Sequence, residues 1–336
     1  MLIIAILYSR EKTKRRFAYV LVFHRDLKKI SEKSAKSHWL YYVHITSPID
    51  LFIVWKMICN TMNKSPCITN AFLYTSFLLQ IELDITMSHF FEIFRATDQW
   101  GNVHVMSDSE NYYLTFGGGG QQSGMQVNQP DRLLFQYTQS MMLAILFRPK
   151  ASTALLLGLG AGSLAKSLLL YDENLLITAV ELREKVKDIA HQWFELPDSE
   201  RLTIKIEDAF KFISNANECT DLLFVDLYLD SGIQNSLSSK KFVRHCYNAL
   251  NNNGTLVLNL WDEGKGYLPF DLEFLEETFT SQALMIVTDE GNIIVIIGKG
   301  FQADPHPRKL QSEAKKLGFR LDIPLQRLLN QLQVRL

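Results

Sequence analysis

The spacing of apolar and polar positions changes character along the chain. From residue 90 to residue 127, short apolar segments alternate with turn residues, which predicts a small antiparallel β domain over residues 87–130. Apolar residues then recur at helical intervals from Leu133 to Phe147, so one helix is expected before Pro149. The predicted strands of the β domain are 91–96, 103–107, 112–116 and 123–127.

From residue 154 onward, apolar strands alternate with helical patterns, as in an open parallel sheet. Two late strands, 284–288 and 293–297, are joined by four residues and must form an antiparallel hairpin. The fold class is therefore α/β, a mostly parallel sheet with a terminal hairpin, which resembles the Rossmann-type sheet of class I methyltransferases. The other predicted strands are 154–157, 176–181, 202–206, 222–225 and 255–260, and the predicted helices are 164–171, 183–194, 208–213, 240–250 and 272–279.

These patterns also predict the domain organisation. The sheet and its helices are expected to form one domain over residues 131–300, followed by a tail, residues 301–336, with two short helices. Residues 1–86 differ from the rest, since they contain no glycine and carry a net charge of +6 against −7 for residues 87–336. Their apolar stretches are all shorter than the ~18 residues of a membrane span, so no span is expected.

Three interpretations of residues 1–86 stay open. The first is an amphipathic extension that lies on a membrane surface or binds a partner. The second is a separate small helical domain. The third is an upstream extension of the reading frame that is not part of the working protein. We favour the third, because an orderly strand pattern begins just after Met87.

Composition excludes some classes of function. The chain has 336 residues, of which 47% are hydrophobic and 21% charged, as in folded soluble proteins. Its net charge of −1 gives no reason to expect a nucleic-acid partner. The four cysteines show neither a C-x-x-C motif nor metal-ligand spacing. We therefore expect free thiols, a cytoplasmic location and no metal.

A glycine-rich turn points to a ligand. The apolar strand 155–157 continues into Gly158, Gly160 and Gly162, and a helical pattern follows at once. Glycine lets a backbone approach a ligand closely, and the first N–H groups of the next helix then face that ligand. The alternative is an ordinary strand-to-helix turn that binds nothing.

The next strand ends at Glu181, 21 positions after Gly160. This is close to the ~20-residue spacing at which a carboxylate meets ribose hydroxyls in βαβ nucleotide sites. A dinucleotide motif would place Gly or Ala where this chain has Ser163, so the spacing favours a sulfonium nucleoside over NAD. The alternative for Glu181 is a solvated strand end.

Two more acids follow strands of the predicted sheet. Asp208 and Asp226 should lie at the carboxyl ends of the strands, where such sheets bind ligands. The alternatives are a helix N-cap for Asp208 and a solvated loop acid for Asp226. Four apolar residues precede Asp226, which is therefore expected to be partly shielded and suited to binding a cation.

Several segments together resemble the spermidine synthase (polyamine aminopropyltransferase) family over residues 90–299. The resemblance implies that Gln121 helps to hold the nucleoside donor and that Glu181 binds the ribose hydroxyls. It also implies that Asp208 lies beside the adenine and that Asp226 is the acid at the reacting amine. The segments are Gly118-Gly119-Gly120-Gln121, Gly158-Leu159-Gly160-Ala161-Gly162, Val180-Glu181-Leu182-Arg183, Glu207-Asp208-Ala209 and Val225-Asp226.

The chain departs from the family pattern at three positions. Ala161 stands where the family has an aspartate that holds the amine of the donor, and it is expected to lie beside the donor's aminopropyl end. The family's Y-H-E motif corresponds to residues 135–137, so its hydroxyl and acid are missing or shifted. The second acid of the D-x-x-D motif is Leu229 here, with Asp230 one place late.

The resemblance implies a transferase of polyamine biosynthesis. It would move an aminopropyl group from decarboxylated S-adenosylmethionine to a small-molecule amine, with no metal cofactor. One alternative is an S-adenosylmethionine-dependent methyltransferase acting on another small acceptor, which Ala161 favours because an acid there would repel the donor's carboxylate. Another is a nucleoside-binding protein without catalysis. Because the family often dimerises, a homodimer is a further expectation.

Overall fold

The computed structural model describes residues 90–117, 121–227, 237–261, 270–300 and 307–334, and the backbone of three earlier strands. Contacts divide the chain into two units, Met1–Thr86 and Met87–Leu336. In the first unit, the strands form an antiparallel sheet in the order β1-β2-β3, so the interpretation of this segment as a small helical domain was wrong for the described strands. These strands are β1 (Ile3–Ser9), β2 (Phe17–Phe23) and β3 (Tyr41–Ile45).

The second unit begins with a five-stranded antiparallel sheet, which confirms the predicted β domain. Sequence analysis missed its last strand, β8, because only Leu133 of that strand is buried and no apolar alternation marks it. The strands, which pair in chain order, are β4 (Phe91–Asp98), β5 (Gly101–Ser107), β6 (Asn111–Thr115), β7 (Gln121–Gln126) and β8 (Gln129–Leu133).

The single helix predicted over residues 133–147 is instead two short helices, α1 (Gln136–Met141) and α2 (Ala144–Phe147). Between them the Leu143 N–H donates to the Ser140 carbonyl at 3.1 Å, the tighter i→i+3 spacing of a 3₁₀ turn. The segment 141–145 is buried on every side, so its apolar pattern cannot show where the helix breaks.

A seven-stranded sheet forms the centre of the second unit, in the order β11-β10-β9-β12-β13-β15-β14. β9 to β13 are parallel, and β15 runs antiparallel to both of its neighbours, which confirms the predicted sheet and hairpin. The strands are β9 (Thr153–Leu157), β10 (Leu176–Glu181), β11 (Leu202–Ile206), β12 (Thr220–Val225), β13 (Leu250–Trp261), β14 (Leu284–Val287) and β15 (Asn292–Gly298).

Helices and two apolar clusters cover the two faces of this sheet. The two C-terminal helices pack into the first cluster through residues that include Leu317 and Leu325. In the described ranges, no helix combines the length and apolar character needed to cross a bilayer. The helices after α2 are α3 (Ser163–Tyr171), α4 (Glu184–Trp193), α5 (Ala209–Asn215), α6 (Lys240–Ala249), α7 (Leu272–Phe279), α8 (Pro307–Leu321) and α9 (Leu325–Leu329).

Candidate functional site

The glycine turn joins β9 to α3, and the packing of the protein itself requires its glycines. Gly158 has a φ of +97°, and a Cβ there would collide with the backbone oxygen of Asp226. At Gly160, whose φ is +55°, a Cβ would lie 2.5 Å from Ser123 Oγ. Gly162 is the N-cap of α3. The turn therefore holds the end of β9 against the end of β12 and against β7 of the β domain.

Glu181 ends β10 and braces this turn. Only 8% of the residue is exposed. Its Oε2 accepts hydrogen bonds from the backbone N–H groups of Leu159 (3.2 Å) and Gly160 (3.4 Å). Its Oε1 accepts one from the Arg183 N–H at 2.9 Å. Burial raises the pKa of Glu181, and the backbone donors counteract that rise.

Because Glu181 is buried and hydrogen-bonded, its interpretation as a solvated strand end was wrong. A carboxylate has about four acceptor sites. Three backbone donors occupy three of them, which leaves capacity for one further donor, such as a hydroxyl.

The two remaining predicted nucleoside contacts are exposed residues. Gln121 is the first residue of β7, two positions before the Ser123 that approaches the glycine turn. Asp208 is the N-cap of α5, where its Oδ1 accepts from the Lys211 N–H at 3.0 Å. The N-cap interpretation of Asp208 is thus confirmed. Its place beside an adenine stays a prediction.

Asp226 directly follows β12, whose six residues are all buried. Its Oδ1 accepts a hydrogen bond from Asn259 Nδ2 at 2.8 Å. The hydroxyl of Tyr137 also hydrogen-bonds to the Asp226 carboxyl group. Burial raises the pKa of Asp226, and these two partners only partly oppose the rise. Asp226 is therefore a shielded carboxyl group with increased proton affinity, and its interpretation as a solvated loop acid was wrong.

Sequence analysis missed the role of Tyr137 and of Glu290. The Tyr137 hydroxyl also lies 3.0 Å from the Gln122 carbonyl, which competes with Asp226 for its one proton. Burial, followed by the charge of Asp226, raises the pKa of Tyr137. Glu290, in the hairpin turn between β14 and β15, adds to that rise. Its Oε1 accepts from the Gln136 N–H at 2.9 Å.

A hydroxyl thus contacts Asp226 and a second acid acts on that hydroxyl, although both come from other positions than the family motif. A phenol was visible at residue 137, one of the positions that the resemblance had marked as shifted. The hairpin acid had a weaker signal, because in the sequence its turn marks only a change of strand direction. Oε2 of Glu290 is buried and, within the described ranges, has no hydrogen-bond partner.

Ala161 does not lie where the resemblance placed it. The residue is fully buried, in an apolar cluster that contains Val103 of the β domain and Val186, Ile189 and Phe194. The expectation that its side chain lies beside the donor was therefore wrong, because the β domain and α4 close over this part of the turn. Ala161 gives no information about the donor's carboxylate.

Two cavities lie apart from this arrangement. One, of about 460 Å³, is lined by residues that include His191 and Leu202. The other, of about 740 Å³, lies under α8 against Tyr171. Neither is lined by the glycine turn, Glu181 or Asp226. The converging polar groups at the carboxyl ends of the strands therefore define the candidate site better than cavity volume does.

Comparisons with known proteins identify the family of this chain. Residues 134–261 match a family model described as the spermine/spermidine synthase domain. A polyamine aminopropyltransferase from Neisseria meningitidis serogroup A is 31% identical over 242 residues, which cover 70% of this chain and 90% of the relative. A second polyamine aminopropyltransferase, from Chromobacterium violaceum, is 25% identical over 240 residues, covering 71% and 92%.

A solved spermidine synthase in complex with the transition state analogue AdoDATO has the same fold. It aligns with a TM-score of 0.57 and 16% identity, over 73% of this chain and 85% of that one. Identity at this level shows the fold alone. The 31% identity to the Neisseria relative, over nine-tenths of that relative's length, shows the family as well. This chain therefore belongs to the spermine/spermidine synthase family and is a transferase.

Proposed function

We propose that the protein transfers an aminopropyl group from decarboxylated S-adenosylmethionine to a small amine. Asp226 carries this proposal, because it is a shielded acid with raised proton affinity at a strand end where ligands bind. The names of the relatives supply the reaction class, and the solved synthase with its analogue supports a sulfonium nucleoside as the donor.

The donor would lie across the glycine turn. We assign its ribose hydroxyls to the remaining acceptor capacity of Glu181, and its adenine to the surroundings of Asp208. Gln121, at the edge of β7, would contact it from the β domain. Each of these residues lies on or beside an element that contacts the turn or ends at the same edge of the sheet.

The amine would meet Asp226. An ammonium ion must lose a proton before its nitrogen can attack, and the Asp226 carboxylate accepts that proton. The nitrogen lone pair then forms a bond to the carbon next to the sulfonium, and the carbon–sulfur bond breaks. Its electron pair stays on sulfur, so methylthioadenosine leaves as a neutral thioether. Alignment of the two reactants supplies most of the rate.

Methyl transfer from intact S-adenosylmethionine loses the support that Ala161 gave it. That alternative depended on Ala161 beside the donor, and Ala161 is packed into an apolar cluster instead. In the described part of the chain, no other side chain argues for a donor that keeps its carboxylate.

The test is an assay of the purified full chain with each donor and a panel of mono-, di- and triamines. Mass spectrometry should find one aminopropylated amine for each methylthioadenosine released from the decarboxylated donor. Intact S-adenosylmethionine should give neither product. Formation of S-adenosylhomocysteine and a methylated acceptor would overturn the proposal in favour of methyl transfer. Binding of the decarboxylated donor without turnover of any amine would favour a non-catalytic protein.

A further inference from the structure

Two asparagines stand beside apolar residues in β13 and β15. Asn259 lies in β13 between Leu258 and Leu260, and Asn292 is the first residue of β15. The antiparallel register pairs residue 259 with residue 294 and residue 261 with residue 292. The two asparagines are therefore diagonal neighbours on the same face of the sheet.

Their amides form a chain of hydrogen bonds that ends on Asp226. Asn292 Nδ2 donates to Asn259 Oδ1 at 2.9 Å, and Asn259 Nδ2 donates to Asp226 Oδ1 at 2.8 Å. An asparagine amide has an acceptor end and a donor end of similar shape. Because Asn292 is a donor to the oxygen of Asn259, it holds the NH₂ end of Asn259 towards the carboxylate.

We propose that Asn259 and Asn292 act in series as positioning residues for Asp226. Asn259 holds one carboxylate oxygen and stabilises the ionised form that accepts the proton. Asn292 acts only through Asn259, by fixing the orientation of its amide. This inference rests on the proposed function, because it assigns a role in the reaction to groups that contact Asp226.

Other titratable groups on neighbouring elements also affect the pH dependence of Asp226. From α1, the Tyr137 hydroxyl hydrogen-bonds to the carboxyl group. From the hairpin turn, Glu290 affects Tyr137 and bonds to the backbone at Gln136. No cationic side chain in the described ranges forms an ion pair with Asp226. Asn259 and Tyr137 are thus the groups that oppose the rise in the pKa of Asp226 caused by burial.

The experiment measures the pH dependence of kcat/KM for aminopropyl transfer in Asn259→Ala, Asn292→Ala and the double variant. Loss of a hydrogen bond to the ionised form should move the acid limb of Asn259→Ala upward by about one pH unit. Asn292→Ala should shift it in the same direction by a smaller amount. The double variant should match Asn259→Ala alone, because one residue acts through the other.

Asn251→Ala is the matched control, since Asn251 donates to Asp221 at the opposite end of β12. It should leave the acid limb unchanged. Additive shifts in the double variant, or no shift in Asn292→Ala, would overturn the series arrangement. Asn292→Ser serves as the second variant if Asn292→Ala does not fold.

The same data separate this inference from the proposed function. If Asp226→Asn abolishes transfer while the Asn259 and Asn292 variants keep the wild-type pH profile, the positioning role of the two asparagines is wrong and the proposed function stands. If Asp226→Asn keeps full activity, the assignment of Asp226 as the base is wrong, and so is the positioning role of Asn259 and Asn292.

Discussion

Strand β12 carries an aspartate near each end, and the two differ in what surrounds them. Asp221, at the amino end, accepts six hydrogen bonds and forms an ion pair with Arg148 at 3.0 Å. Burial raises the pKa of Asp221, but these donors outweigh it and hold the pKa well below its usual range. Asp226, at the carboxyl end, has two side-chain partners and a raised pKa.

The comparison shows that burial alone does not identify a reactive acid. Both carboxyl groups are shielded by the same sheet. The number of donors facing each one decides whether it is held as a structural anion or keeps a high proton affinity. A buried carboxylate that few donors satisfy is the better candidate for chemistry.

The most direct test of this difference is to neutralise Asp226, the acid at the carboxyl end of β12. Asp226→Asn keeps the shape but removes the proton acceptor, so kcat/KM for aminopropyl transfer should fall about 10²- to 10⁴-fold. The free energy of unfolding should not fall, because the fold stabilises a neutral group at this position. Steady-state kinetics and urea unfolding measure the two quantities. Activity within a few-fold of wild type would show that Asp226 is not the base.

The reverse outcome is expected at the amino end. Asp221→Ala leaves Arg148, two backbone N–H groups and three other side-chain donors without their acceptor, so the free energy of unfolding should fall by about 3 kcal/mol. The kcat/KM of the folded fraction should stay close to wild type. Urea unfolding at neutral pH gives the stability loss. A large loss of kcat/KM in fully folded Asp221→Ala would remove the distinction between the two ends.

A third variant tests whether a carboxylate that already accepts several hydrogen bonds can also bind substrate. Glu181→Gln should weaken binding of the decarboxylated donor about 10- to 150-fold, through loss of a charge-assisted hydrogen bond to ribose. Calorimetry measures the affinity, and Asn251→Ala is the control with unchanged binding. If affinity is unchanged, Glu181 only braces the glycine turn and resembles Asp221.

The smallest expected effect is the pH dependence of stability, which should have opposite signs at the two ends. The depressed pKa of Asp221 stabilises the fold above about pH 4, and this contribution disappears as the pH falls through the folded-state value. The raised pKa of Asp226 has the opposite effect, since stability decreases as the pH rises through its folded-state value.

Urea midpoints of Asp221→Asn and Asp226→Asn between pH 3 and pH 7 test this sign. At pH 7 the first variant should be less stable than wild type and the second more stable, and both differences should shrink on acidification. Stability changes of the same sign in both variants at pH 7 would contradict the assigned pKa directions.

Local sequence determined the strands of the central sheet and the acids that follow them. Runs such as 154–157 and 222–225 are apolar throughout, because both faces of a parallel strand are buried. The positions of Glu181 and Asp226, at the ends of two mostly apolar strands, were therefore predictable. The break in the helix over 133–147 was not, because a segment buried on all sides has no amphipathic period.

Only the tertiary structure decided what each acid contacts. The partners of Asp226 are Tyr137 and Asn259, far away in sequence, and Glu290 of the terminal hairpin acts on Tyr137. Ala161 shows the same limit, since a motif specifies a position in the chain but not the side on which its side chain packs. The proton affinity of a carboxyl group depends on donors and burial within a few ångströms, and folding brings those groups together.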